Sequence, residues 1–96
     1  MMKKRVLFDE IVVITDDGLG SGDECRVELV RYPTDSHGHA IAVLHMEHGE
    51  RNGYGGLKFG SSVERQMIDA DSAKTDATLI RDAIESFDEF IGKFVD

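Results

Sequence analysis

The chain has 96 residues, of which 41% are hydrophobic and 31% charged, with a formal net charge of −8 and a single cysteine. That length holds one domain with one core, and the composition is globular rather than disordered. The charge repels nucleic-acid backbones and anionic membranes and favours basic partners; no internal disulfide can form, and no stretch approaches the ~20 apolar residues of a membrane span. With no disulfide to maintain, a reducing, cytoplasmic setting is the simplest expectation. The basic opening Met1 to Arg5 precedes an apolar run, but Asp9 and Glu10 interrupt that run too early for a secretory signal.

Arg5 to Thr15 is the first strand expected, rich in Val, Ile and Phe. Val6, Phe8, Val12 and Ile14 fall on one face and Leu7, Ile11 and Val13 on the other, which predicts a strand covered on both sides. Asp9 and Glu10 argue for a bulge or a break. Asp16 to Glu24 holds three glycines and four acids and is expected to be a mobile connection. It lacks the Lys and Ser/Thr ending of a phosphate loop, and its carboxylates repel phosphate. Cys25 to Tyr32 alternates cleanly, with Cys25, Val27 and Leu29 inward and Arg26 and Glu28 outward, and Pro33 ends it.

Ala40 to Glu47 is apolar on both faces and is expected to be central in the sheet. Asn52-Gly53 is a hairpin signal. Leu57 to Phe59 and Val63 to Ile68 follow as two short strands, the second with a helical alternative.

Ser72 to Val95 has the period of one long amphipathic helix. Thr75 is a plausible N-cap with Asp76 in the first turn, and Ser72 competes with it. Gly92 is a natural stop through the left-handed conformation, although Phe94 keeps the periodicity toward Val95. At about 100° per residue, Ala77, Ile80, Ile84, Phe87, Ile91 and Phe94 cluster on one line. Leu79, Ala83 and Phe90 widen one margin and Val95 the other. The stripe is about 160° wide, against the ~100° one face needs, so a second copy of the chain is expected to cover what the sheet leaves. The fold class predicted is therefore α+β: an antiparallel meander of four or five strands, then one helix packed on a sheet face. The dimer-or-core stripe comprises Ile80, Ile84, Phe87, Phe90, Ile91 and Phe94.

No catalytic or cofactor motif stands out. His37, His39, His45 and His48 lie within twelve residues, but His39 and His45 on one strand are ~20 Å apart, too far for one ion. Cys25 faces the core, and Ser36-His37 are sequence neighbours without the geometry of an activated nucleophile. No metal, cofactor or enzymatic activity is expected. The four-strand meander ending in a long helix resembles, in topology alone, the PC4/Whirly class of single-strand binders. That resemblance implies basic residues and stacking aromatics on the sheet, where this chain offers Arg26, Arg31, Tyr32, Arg51, Tyr54 and Lys58 scattered among acids.

The helix face away from the stripe carries Thr78, Asp82, Glu85, Glu89 and Asp96, flanked by Arg81 and Lys93. Asp82, Glu85 and Glu89 rise at ~4.5 and ~6 Å, of the order of phosphate spacing along a strand, ~3.4 Å per base. The expected function is a small acidic interaction protein, of the phage- or plasmid-type inhibitor or immunity class, that binds a basic protein surface. A homodimeric accessory domain and a single-strand binder are the alternatives.

Overall fold

A computed structural model describes residues 3–35, 37–51, 57–71 and 74–95, with backbone alone for 51 and 57–61. Four strands, β1 (Arg5–Asp16), β2 (Gly22–Arg31), β3 (Ile41–Arg51) and β4 (Leu57–Asp69), form one antiparallel sheet in sequence order. The helix α1 (Asp76–Gly92) packs over β1, β2 and β3. This is the α+β meander with one C-terminal helix that the sequence predicts. The molecule is 19 Å thick in its thinnest direction, close to one sheet plus one helix, each layer contributing about 10 Å.

The β1–β2 connection, expected to be mobile, is a hydrogen-bonded turn. Asp17 N–H donates to the Ser21 carbonyl at 3.0 Å, and the Asp17 carboxylate accepts from Leu19 and Ser21 N–H. Gly18 and Gly20 supply positive φ. β2 begins at Gly22, where an added Cβ would run into the Thr15 carbonyl oxygen. Bulges between Val6 and Phe8 and between Val13 and Thr15 bend β1. They turn Leu7 and Ile14 toward the core as well, so β1 is not the simple two-faced strand expected. The two short strands expected after residue 56 are one, β4, whose pairing with β3 shifts at His48/Gly49. The Asn52-Gly53 hairpin signal lies outside the described residues.

Strand period sorts the sheet into two faces. Cys25, Val27 and Leu29 of β2 and Ala42, Leu44 and Met46 of β3 are fully or almost fully buried under α1. Leu79, Ala83, Phe87 and Phe90 of the helix bury against them. Each large side chain contributes ~2 kcal/mol. Phe94 stacks on His48 at 4.2 Å and meets Phe90 edge-on at 5.2 Å.

The helix starts where its cap dictates. The Thr75 hydroxyl accepts from Thr78 N–H at 3.2 Å, and Thr75 has extended backbone. It ends at Gly92, but not through a left-handed glycine: Lys93 caps it in right-handed conformation, with its N–H directed to Phe90 and Ile91 carbonyls. The buried line also differs from the expected one. It runs through Leu79, Ala83 and Phe90 rather than Ile80 and Ile84; Ala77 is exposed and Ile84 is 40% exposed, with Ile80, Ile91 and Phe94 half-buried. The sheet accepts one half of the wide stripe, and Phe87 and Phe90 belong to the core within a single chain.

Candidate functional site

Two surfaces and one cleft carry the chemistry that the core leaves outside. The first is the outer face of α1. Asp82, Glu85, Asp88 and Glu89 are all exposed over barely two turns. Rotation of the buried line toward Leu79 and Phe90 places Glu85 and Asp88 opposite the sheet and puts Asp82 and Glu89 on one flank. Asp88 is the member that sequence reasoning missed: its position opposite the buried line shows only once that line is fixed. Arg81 approaches Asp82 at 3.7 Å, both exposed. Lys93, at the end of the helix, is instead drawn to Glu64 on β4 and lies 5.7 Å above the Phe90 ring. Asp96 lies outside the described residues.

The second surface is the sheet face away from the helix, which the sequence predicts to be covered. It is open. Val6, Ile11, Val13, Val63 and Met67 are each at least half exposed, Met67 at 72%. A hollow of about 410 Å³ sits on it, lined by Glu28, Val30, Tyr32, Val43, His45, Arg65 and Met67. Arg65 donates to His45 Nδ1 at 3.4 Å, leaving Nε2 toward Glu47 at 3.6 Å. A guanidinium only donates, so Nδ1 is the acceptor in this contact.

The cleft, about 470 Å³, lies at the helix start, with Lys3, Arg5, Arg31, Tyr32 and Asp76 among its walls. Arg5 donates to Asp76 through both terminal guanidinium nitrogens, at 2.8 and 3.1 Å, and Arg31 donates to it at 2.7 Å. Arg31 also donates to the Ala70 and Asp71 carbonyls at 3.2 Å. The Arg5 and then the Arg31 guanidinium hold the Asp76 carboxyl below its ordinary range. The clasp ties α1 to β1 and β2.

The histidines separate. His37 and His39 are exposed beside the β2–β3 turn, where both backbone N–H groups donate to the Asp35 carboxylate at 2.8 Å and lower its pKa. His45 faces the open sheet and His48 the core. Among the described residues no group of three or more His, Cys, Asp or Glu is placed to hold a metal ion. Cys25 pairs with His48 across β2 and β3, with Asp23 at 3.9 Å from His48 Nε2, a sequence of groups found in thiol enzymes. Here burial, and then Asp23, push the Cys25 thiol up, and the sulfur is sealed in the core. It packs as a core side chain.

Two of the cations that a strand-binding sheet would use already have an acid beside them. Arg26 approaches Glu24 at 3.5 Å and Arg31 belongs to the Asp76 clasp, while Asp9, Glu28 and Glu47 share the open face. Arg51, Tyr54 and Lys58 lie outside the described side chains. No described helix is long and apolar enough to cross a membrane. No family model matches the chain, and no curated protein or solved structure matches it.

Proposed function

We propose that the protein is a non-enzymatic interaction module that docks a basic protein surface on the outer face of α1. One observation carries this reading: Asp82, Glu85, Asp88 and Glu89 stand exposed on a helix that the core and the Asp76 clasp hold rigid, with Arg81 the one cation bridged to them among the described residues. A helix already packed in place presents its carboxylates to Lys and Arg with no backbone left to order, and complementary potential speeds encounter. An inhibitor or immunity-type role, in which the row takes the place of phosphates in a basic channel, is the most specific form of this proposal.

The test is affinity capture from lysate with the wild-type chain and with Asp82→Asn, Glu85→Gln, Asp88→Asn and Glu89→Gln combined. These positions are exposed, so the fold survives. A basic protein held by the wild type and released by the variant is the expected result. An unchanged set of captured proteins would remove the role assigned to the row.

A further inference from the structure

We infer that the open sheet face binds a second copy of this chain, stacked face to face about a two-fold axis that runs parallel to the strands. The register shows why. Three cross-strand rows cover the middle of this face. The first is Val6, Val30, Val43 and Met67, apolar throughout, with Val6 and Met67 exposed at its two ends and Val30 already buried between its neighbours. The second is Asp9, Glu28, His45 and Arg65, two acids followed by two bases. The third is Ile11, Arg26, Glu47 and Val63, a base and an acid between two apolar ends.

A two-fold axis along the strands lays each row on its own reverse, so β1 covers β4 of the second copy and β2 covers β3. The first row then meets only apolar side chains. In the second, Asp9 meets Arg65 and Glu28 meets His45. In the third, Ile11 meets Val63 and Arg26 meets Glu47. Every position finds a complementary partner, because reversal across the sheet sets the carboxylates of each polar row opposite its guanidiniums and imidazole. The other face-to-face two-fold axis, across the strands, lays each strand on itself. It sets Asp9 on Asp9, Glu28 on Glu28 and Arg65 on Arg65, and drives Val30 onto Arg26. Like charges so placed are costly, so the pattern selects one axis. Aligned sandwiches cross at about 30°, an angle that keeps these central rows in contact.

Charge and area both allow the contact. The three rows hold three carboxylates against two guanidiniums and a histidine, close to neutral, whereas the chain carries −8. The acid excess is therefore elsewhere, much of it on the far side of α1. Four strands at ~4.8 Å and about nine residues at ~3.3 Å give a flat footprint of about 600 Å². Side-chain relief brings this to the order of the ~800 Å² per partner of a stable interface. Met67, long, flexible and 72% exposed, is suited to filling the hollow of the opposite copy.

The proposal is tested by sedimentation equilibrium on the full chain, fluorescently labelled for the dilute end, between about 1 nM and 100 μM, wide enough to read a tenfold change over much of the μM-to-pM span of affinities found at such an area. The wild type, Asp9→Arg, Arg65→Glu and the double variant are compared, with circular dichroism as the check of fold. A dimer of twice 10.7 kDa is expected. Each single change sets like charges together at two symmetric places and should weaken association at least about tenfold; the double change restores it. Within one chain Asp9 and Arg65 lie on opposite edges of the sheet, about 14 Å apart, so restoration cannot arise inside a monomer. A monomer throughout the range overturns the proposal. So does a dimer that ignores both single changes, as pairing of sheet edges or of the helices would, or one that the double change fails to restore. None of these outcomes bears on the acidic row of α1, which faces the other way.

Discussion

Asp76 does three jobs at one position. It sits in the first turn of α1, where a carboxylate favours the positive helix end, and it holds Arg5 from β1 and Arg31 from β2. Its pKa is lowered, so its contribution to stability is present in full above the ordinary carboxyl range and is lost as pH falls through the lower, folded value. Removing it leaves Arg31, 15% exposed, with the Ala70 and Asp71 carbonyls as its partners among the described residues. Asp76→Ala should therefore lower the melting temperature at pH 7 by more than Asp82→Ala, whose carboxylate is exposed on the outer face. The difference between wild type and Asp76→Ala should shrink below about pH 4, near the unperturbed Asp value. Thermal melts across pH 2 to 7, common ground for acid denaturation, check both. Equal losses at pH 7 would show the clasp to be a surface ion pair of no consequence.

At the scale of the element, the helix divides its apolar residues by depth. Phe90 is almost fully buried in contact with the core, while Ile84, one turn and a half earlier, is 40% exposed. Phe90→Ala should cost ~3–5 kcal/mol, and Ile84→Ala well under half of that, since little cavity forms at a half-open position. Urea titration measures the two. Similar values would mean that the helix is turned about its axis toward the line the sequence alone suggests.

That line also marks what was legible. The Thr75 cap, the alternation from Cys25 to Tyr32 and the order of strands before the helix were readable, because caps and period 2 are local. The direction of the helix face was not. An apolar arc of about 160° fits a sheet in two rotations, and the choice falls to Leu79 and Phe90 meeting Cys25, Leu44 and their neighbours. The open sheet face differs for a related reason: apolar residues on both sides of β1 and β3 predict strands covered on both sides, whereas Val6, Ile11, Val13, Val63 and Met67 stand exposed on the side away from α1. The clasp was invisible because Arg5 and Arg31 lie 71 and 45 residues from Asp76. The acidic row was readable for Asp82, Glu85 and Glu89, whose spacing is a property of the helix alone.

At the scale of the molecule, the two surfaces should respond to salt in opposite directions. The chain spans 49 × 27 × 19 Å. At 0.01 M salt the screening length is ~30 Å, so each copy feels most of the charge of the other, while at 0.15 M it is ~8 Å and only contacting groups interact. Two chains of −8 repel at long range, yet the rows that meet on the open sheet face are close to neutral and are shielded from ions once joined. Self-association should therefore tighten between these two salt concentrations. Docking of a basic partner on α1 draws on the acid excess itself and should weaken over the same interval. Sedimentation equilibrium at both salts reads the first slope, and elution of captured protein reads the second. Self-association that weakens along with partner capture would mean that exposed charge, rather than the apolar row from Val6 to Met67, holds the two copies together.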